Sequence, residues 1–284
     1  MPNLVLIIVF LGVFISSPLQ AQDSDQWRTP SLDDLVYMQT TEGLVIIELA
    51  PFMAPNHVAR FKHLVSEGFY DGLDFYRVID GFVAQAGDMS GEKLTKYKQP
   101  LNAEFTRKAP ANSHFQLEQD KDFMAPQTGY LHGFAAGRDP SKNEEWLLHC
   151  PGTVAMARSN DKDSATTDFY VVIGQATRHL DRNMSAFAKV IYGMPALQSV
   201  SRASVNTPSG VIEKPQQRSK INWIKLAEDV PAKDRIAVQL QHQDSSQVKQ
   251  RLDSARKLDN AFFHYKGNGN LDMCYYQLKS RLAD

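Results

Sequence analysis

The chain has 284 residues, 31 basic and 32 acidic side chains, and a formal net charge of −1. That length supports one large domain or two small ones around a real hydrophobic core. The near-neutral balance argues against a general nucleic-acid partner, because neutralising phosphates takes a basic excess.

Residues 4–15, LVLIIVFLGVFI, form an unbroken apolar run. It is shorter than the about 20 residues a membrane span needs, and SSPLQAQ behind it offers small residues for cleavage after Ala21. The pattern is that of a secretory signal peptide over 1–21, although MPN ahead of it supplies no Lys or Arg; an uncleaved anchor is the alternative. No cysteine follows the run, so a lipoprotein anchor is not supported. The expectation is an exported protein, periplasmic or secreted, with no stable membrane insertion after cleavage.

The next segment, DSDQWRTPSLDD, is polar and reads as loose. Leu35 to Thr40 and Leu44 to Leu49 are β-type runs flanking Thr41-Glu42-Gly43, a hairpin signal. Val58, Phe61, Leu64 and Val65 recur at helical spacing, which predicts a helix from Ala54 to Glu67 stopped by Gly68. Residues 75–88 predict a strand or strand pair. Residues 89–150 are mixed and punctuated by Pro100, Pro110, Pro126 and Pro140, and read as mostly loop with short elements. Strands are expected over 152–158, 167–174 and 186–191, a short helix from Met194 to Val200, and a strand from Ile221 to Leu226.

Composition shifts after Asp229. Residues 236–242, IAVQLQH, alternate as a half-buried strand. Beyond them Val248, Leu252, Ala255, Leu258 and Phe262 fall on one helical stripe, with Asp244, Ser245 or Ser246 as the N-cap. The stripe predicts docking onto the main domain. The only cysteines are Cys150 and Cys274. In an oxidising compartment such residues pair, and a bond across more than about 100 residues stabilises by on the order of 4–5 kcal/mol in the chain-entropy view. Two buried free thiols are the alternative. The eight histidines are scattered, and His57 and His63 fall on different faces of the predicted helix. No zinc-ligand spacing, glycine-rich phosphate loop or GxSxG elbow occurs, so no metal and no cofactor is expected.

One stretch is odd for a strand. FYRVIDGFVAQAGD, residues 75–88, sets Arg77 in an apolar run and Gln85 ahead of a Gly-Asp turn. This stretch resembles the signature of the cyclophilins: an aromatic pair, an Arg, a Gly-Phe step, a Gln and Gly-Asp. GTVAMARSNDKDSATTDFYVVIG and HLDRNMSAFAKVIYGM resemble the family's second signature region, and the early hairpin and helix stand in the matching order. The resemblance covers residues 34–227. It implies a mainly β fold: a closed antiparallel eight-stranded barrel capped by two helices, with a packed interior and an outer substrate groove. On this fold residues 22–228 form the barrel domain, 89–150 a long insertion and 229–284 a C-terminal α/β extension packed on the barrel. A bond between Cys150 and Cys274 would tie the insertion to that extension.

The resemblance also implies peptidyl-prolyl cis-trans isomerase activity on proline-containing polypeptide clients, by a monomer that assists the folding of exported proteins. X-Pro bonds isomerise over a barrier near 20 kcal/mol because rotation destroys amide resonance. The prolyl nitrogen becomes pyramidal and regains a lone pair, and a donor aimed at it stabilises the twisted state more than either planar one. A permanently charged forked donor suits that task. Arg77 is the expected donor, with Gln85 orienting it and Phe82 and Val83 lining a proline pocket together with Ala157, Tyr170 and Leu180. Four positions depart from the family pattern: Arg158 replaces an Asn, Asp168 a Gln, His179 a Trp and Met184 a His. Asp168 is expected to pair with Arg77. These departures keep open a catalytically weak or inactive peptide-binding module as the alternative.

Overall fold

The computed structural model describes residues 26–93, 97–175 and 177–283, so the expected signal segment lies outside the described residues. A short strand β1 (Trp27–Arg28) precedes the hairpin of β2 (Leu35–Thr40) and β3 (Gly43–Leu49). The Thr40 hydroxyl closes that turn by accepting from the N–H groups of Glu42 and Gly43, both at 3.1 Å. Helix α1 (Pro55–Ser66) follows. Proline at its first position costs nothing there. Its N-cap, Ala54, has no capping side chain; instead Glu104 accepts from the N–H groups of Asn56 at 3.2 Å and His57 at 3.0 Å, satisfying donors that the helix cannot.

Strands β4 (Asp74–Val78) and β5 (Val83–Gly87) come next, then β6 (Arg107–Lys108), β7 (Phe115–Asp120), β8 (Gln127–Leu131), β9 (Phe134–Asp139) and β10 (Glu144–Leu147). They are followed by β11 (Thr153–Met156), β12 (Phe169–Val172), β13 (Ala186–Tyr192), α2 (Met194–Ser199) and β14 (Ile221–Leu226). The chain ends with β15 (Val238–Gln241), α3 (Ser246–Lys257) and β16 (Ser280–Leu282). Eight of the strands form one antiparallel sheet in the order β14-β2-β3-β13-β11-β12-β5-β4. Its two outer strands meet: Phe75 N–H donates to Ser219 O at 2.9 Å and Ile221 N–H to Leu73 O at 2.8 Å. The barrel leaves little free edge for another chain to pair with.

The barrel is filled. Val36 and Met38 of β2, Val45 and Ile47 of β3, Phe169 of β12 and Phe187 of β13 share one buried cluster with Val58, Phe61 and Leu64 of α1 and Leu197 of α2. The Phe61 ring lies 5.5 Å from that of Phe169 and 5.0 Å from that of Phe187. Each such ring contributes about 1.5–3 kcal/mol on burial, so the two helices stopper a solid core.

The insertion corrects the sequence reading. Residues 107–147 are not mostly loop but a five-stranded antiparallel sheet ordered β6-β10-β9-β8-β7. Its strands hide from pattern reading because they break alternation. Glu145 in β10 is fully buried, and it accepts from Arg107 at 2.9 Å and from Arg138 and Ser113. Gly137 in β9 faces Trp146, where a Cβ would fall 2.4 Å from the indole. One side of this sheet covers the barrel wall: Leu131, Phe134, Ala136 and Leu147 pack with Val83, Ala155, Tyr170 and Val172.

The C-terminal elements complete the molecule. Val248 and Leu252 of α3 pack on Tyr130 and Trp146 of the inserted sheet, whereas Val238 and Leu240 of β15 cover Leu35, Tyr37 and Ile46 on the barrel. Both faces of the first hairpin are thereby buried, which is why residues 35–38 and 44–47 are apolar without alternation. Cys150 and Cys274 form a disulfide inside the cluster beneath α3. Ser245 is the N-cap of α3 and accepts from Val248 N–H at 3.2 Å. The helix ends at Lys257, because Leu258 takes a left-handed conformation with φ 47°. The expected stripe therefore stops short of Phe262, whose ring is exposed.

Candidate active site

Residues 75–88 fold as the β4–β5 hairpin. A register shift lies between Asp74 and Arg77, and Phe75 and Val78 both enter the barrel interior. Strict alternation would send Phe75 and Arg77 to the same face; the bulge inserts one residue and puts Tyr76 and Arg77 side by side outside. In β5, Ala84 and Ala86 point inward, so Gln85 points outward. The pairings Arg77↔Gln85, Gln85↔Tyr170 and Tyr170↔Ala155 lay one row across the wall.

Along this row runs a groove of about 410 Å³ lined by Arg77, Phe82, Val83, Gln85, Ala157, Arg158, Tyr170, Leu180 and Met184. All nine were expected there from the sequence. Two other expected residues do not line it. His179 stacks behind Phe82, ring centroids 5.7 Å apart and 10° from coplanar. Asp168 lies at the back of the row.

Asp168 does not pair with Arg77. Its Oδ2 accepts from the Tyr76 hydroxyl at 2.7 Å, and its Oδ1 accepts from Asp88 N–H and the Thr167 hydroxyl, each at 3.1 Å. Tyr76 accepts in turn from Gln85 Nε2. Gln85 Oε1 accepts from Arg77 Nη1 at 3.2 Å. The carboxylate thus reaches the guanidinium through two intervening side chains, which fix the Gln85 amide with its oxygen toward Arg77. Close approach requires Gly87: a Cβ there would fall 2.1 Å from Asp168 Oδ1. Burial pushes the Asp168 carboxyl above its ordinary value against the pull of these hydrogen bonds, and burial together with Asp168 pushes the Tyr76 hydroxyl up.

Arg77 Nε donates to Ser209 O at 2.8 Å. With Nη1 on Gln85, the guanidinium is held along one side, and Nη2 has no hydrogen-bond partner among the described residues. The opposite wall is pinned from below. Tyr170 hydroxyl meets His149 Nε2 at 3.0 Å, and His149 Nδ1 lies 3.3 Å from Asp181. Arg178 bridges Asp181 and Asp122, which anchors the turn carrying Leu180 to the inserted sheet's β7–β8 loop. Tyr76 and His149 went unnoticed in the sequence. The Tyr in the aromatic pair, read together with the carboxylate at Asp168, was the available signal for the first. Nothing local marked His149.

The arrangement combines an apolar floor with two held arginines, Arg77 at one edge and Arg158 in the same lining, and no nucleophile. The family model for cyclophilin type peptidyl-prolyl cis-trans isomerase/CLD matches residues 35–226. A probable peptidyl-prolyl cis-trans isomerase of Brucella suis is 29% identical over 185 residues, 65% of this chain and 80% of the relative. Peptidyl-prolyl cis-trans isomerase A of Dickeya dadantii is 27% identical over 59% of this chain and 70% of its own length. The crystal structure of cyclophilin AquaCyp293 from Hirschia baltica superposes with a TM-score of 0.74 at 28% identity, covering 95% of this chain and 97% of its own. The chain belongs to the cyclophilin-type peptidyl-prolyl cis-trans isomerase family, and it is an isomerase. The likeness to AquaCyp293 runs through the inserted sheet and the C-terminal elements as well as the barrel.

Proposed function

We propose that the protein isomerises X-Pro bonds in exported, proline-containing polypeptides and so assists their folding, with Arg77 as the group that stabilises the twisted amide. The observation that carries this reading is the held guanidinium whose Nη2 has no hydrogen-bond partner among the described residues, at the edge of an apolar groove. A proline ring seated on Phe82, Val83 and Leu180 brings its nitrogen to that edge. As the bond twists, the nitrogen gains a lone pair and accepts from the guanidinium. The planar forms have no such lone pair, so the interaction favours the twisted state selectively. Because Ser209 and Gln85 hold the donor in place beforehand, it need not reorganise during the reaction. Removing one preorganised donor of this kind costs about 10²–10³ in kcat.

The expected site of action is the periplasm or the outside of the cell, which agrees with the apolar run at 4–15 and with a disulfide in the described chain. An X-Pro tetrapeptide assay comparing the wild type with Arg77→Ala tests the mechanism. A loss of two to three orders of magnitude supports it; equal rates would remove Arg77 from the chemistry. Reporter fusion of residues 1–30 tests export.

A further inference from the structure

We propose that the groove prefers proline-containing segments that carry an acidic side chain within three residues of the proline, with Arg158 as the specificity-determining residue. This rests on the reading of the groove as the substrate site. Several arginines elsewhere are ion-paired, among them Arg28 with Glu48, Arg107 and Arg138 with Glu145, and Arg178 with Asp122 and Asp181, whereas Arg60, Arg235 and Arg251 donate to backbone carbonyls. The groove lining holds two arginines, Arg77 and Arg158, and no carboxylate. Neither arginine makes an ion pair among the described residues. In a chain of net charge −1, this concentrates positive potential where a peptide would lie.

Arg158 is built in rather than trailing into solvent. Its Nε and Nη2 donate to Asn183 O at 3.0 and 2.9 Å, its Nη1 donates to Ser159 O at 2.6 Å, and its guanidinium lies 5.4 Å from the Phe105 ring centre. Carbonyl oxygens fix the head group without cancelling its charge, so little side-chain freedom remains to be lost on binding. Its charge reaches the groove floor: burial pushes the Tyr170 hydroxyl up, and Arg158 pulls against that rise. The row from Arg77 to Ala155 spans three strand spacings, about 14 Å, which is the length of roughly four extended residues. Arg158 lines the same groove, so with a proline nitrogen at Arg77 a residue up to three positions away, extended by the reach of its own acidic side chain, comes to that arginine.

The test walks a single Glu, Ala or Lys through the three positions on each side of one proline in an otherwise neutral peptide. At one position at least, Glu is expected to raise kcat/KM about tenfold over Ala, with Lys below Ala. In Arg158→Gln the ratio of Glu to Ala should fall close to one, and in the wild type it should shrink as salt is raised. No position separating Glu from Lys, or a ratio that survives Arg158→Gln, would overturn the proposal. The all-neutral peptide keeps the two readings apart, because absent turnover on it speaks against the isomerase mechanism and not against charge selection. In that event calorimetric binding of the Glu and Lys peptides to both proteins decides the preference by the same ratios.

Discussion

The chain of hydrogen bonds from Asp168 through Tyr76 and Gln85 to Arg77 makes a sharp prediction for Tyr76→Phe. The substitution deletes one hydroxyl and leaves the ring's packing in place. Asp168 Oδ2 loses its 2.7 Å donor, and Gln85 Nε2 loses its acceptor. Leaving such groups unsatisfied costs about 1–3 kcal/mol, so denaturant unfolding should show a loss of that size with an unchanged m-value. The effect on catalysis is indirect. Arg77 keeps its 2.8 Å bond to Ser209 O, but the Gln85 amide is free to flip and present its NH₂ to the guanidinium. A misorientation worth about 1 kcal/mol lowers kcat roughly fivefold, with KM little changed because the groove lining is intact. A stability loss with unchanged kcat would show that the relay braces the strands without positioning Arg77. No change in either quantity would mean that the hydroxyl makes neither bond in solution.

Other expectations follow from the same contacts. Replacing Cys150 and Cys274 with Ser opens a crosslink of sequence separation 124, and unfolding should show a loss approaching 5 kcal/mol, the chain-entropy figure for a loop of about that length; a loss below about 1 kcal/mol would argue that the thiols are reduced in the folded protein. Burial raises the Glu145 carboxyl, but hydrogen bonds from Ser113, Arg138 and Arg107 outweigh it and bring its pKa below the ordinary 4.5. The folded chain therefore binds that proton less readily than the unfolded one, so the stabilisation is complete above 4.5 and is lost as pH falls through the lowered value. Glu145→Gln should lower the melting temperature at neutral pH and flatten its fall in acid, and an unaltered acid limb would contradict this. Gly87→Ala should displace the Asp168 carboxylate, given the 2.1 Å approach, and should reduce kcat at least as much as Tyr76→Phe does; wild-type turnover would show that the carboxylate is not needed where it stands.

How much of this the sequence disclosed depended on whether neighbours or distant partners set each residue's environment. Helix α1 was readable because its apolar period matches the barrel interior it faces, and the β2–β3 hairpin because two β-type runs flank a turn. The groove was readable because its residues belong to a motif of fixed spacing. The inserted sheet was not, because β9 and β10 place a glycine beneath a tryptophan and a buried glutamate between two arginines. Those features make sense only once the strands are paired. The end of α3 escaped for a related reason. Phe262 continues the apolar stripe, but the left-handed Leu258 turns the chain away first. At the site, the charge at Asp168 suggested a direct partner in Arg77, whereas the bulge in β4 set Tyr76 on the outer face and its hydroxyl took the carboxylate.

The central claim is that a fixed guanidinium edge donates to the prolyl nitrogen during rotation. Arg77→Lys tests it most directly, because the positive charge stays while the planar fork and its bonds to Ser209 and Gln85 are lost. The account predicts that kcat/KM on an Ala-Pro tetrapeptide falls by about 10²–10³, close to the value for Arg77→Ala, in a protein that still binds the peptide. Near-wild-type turnover by the lysine variant would contradict it.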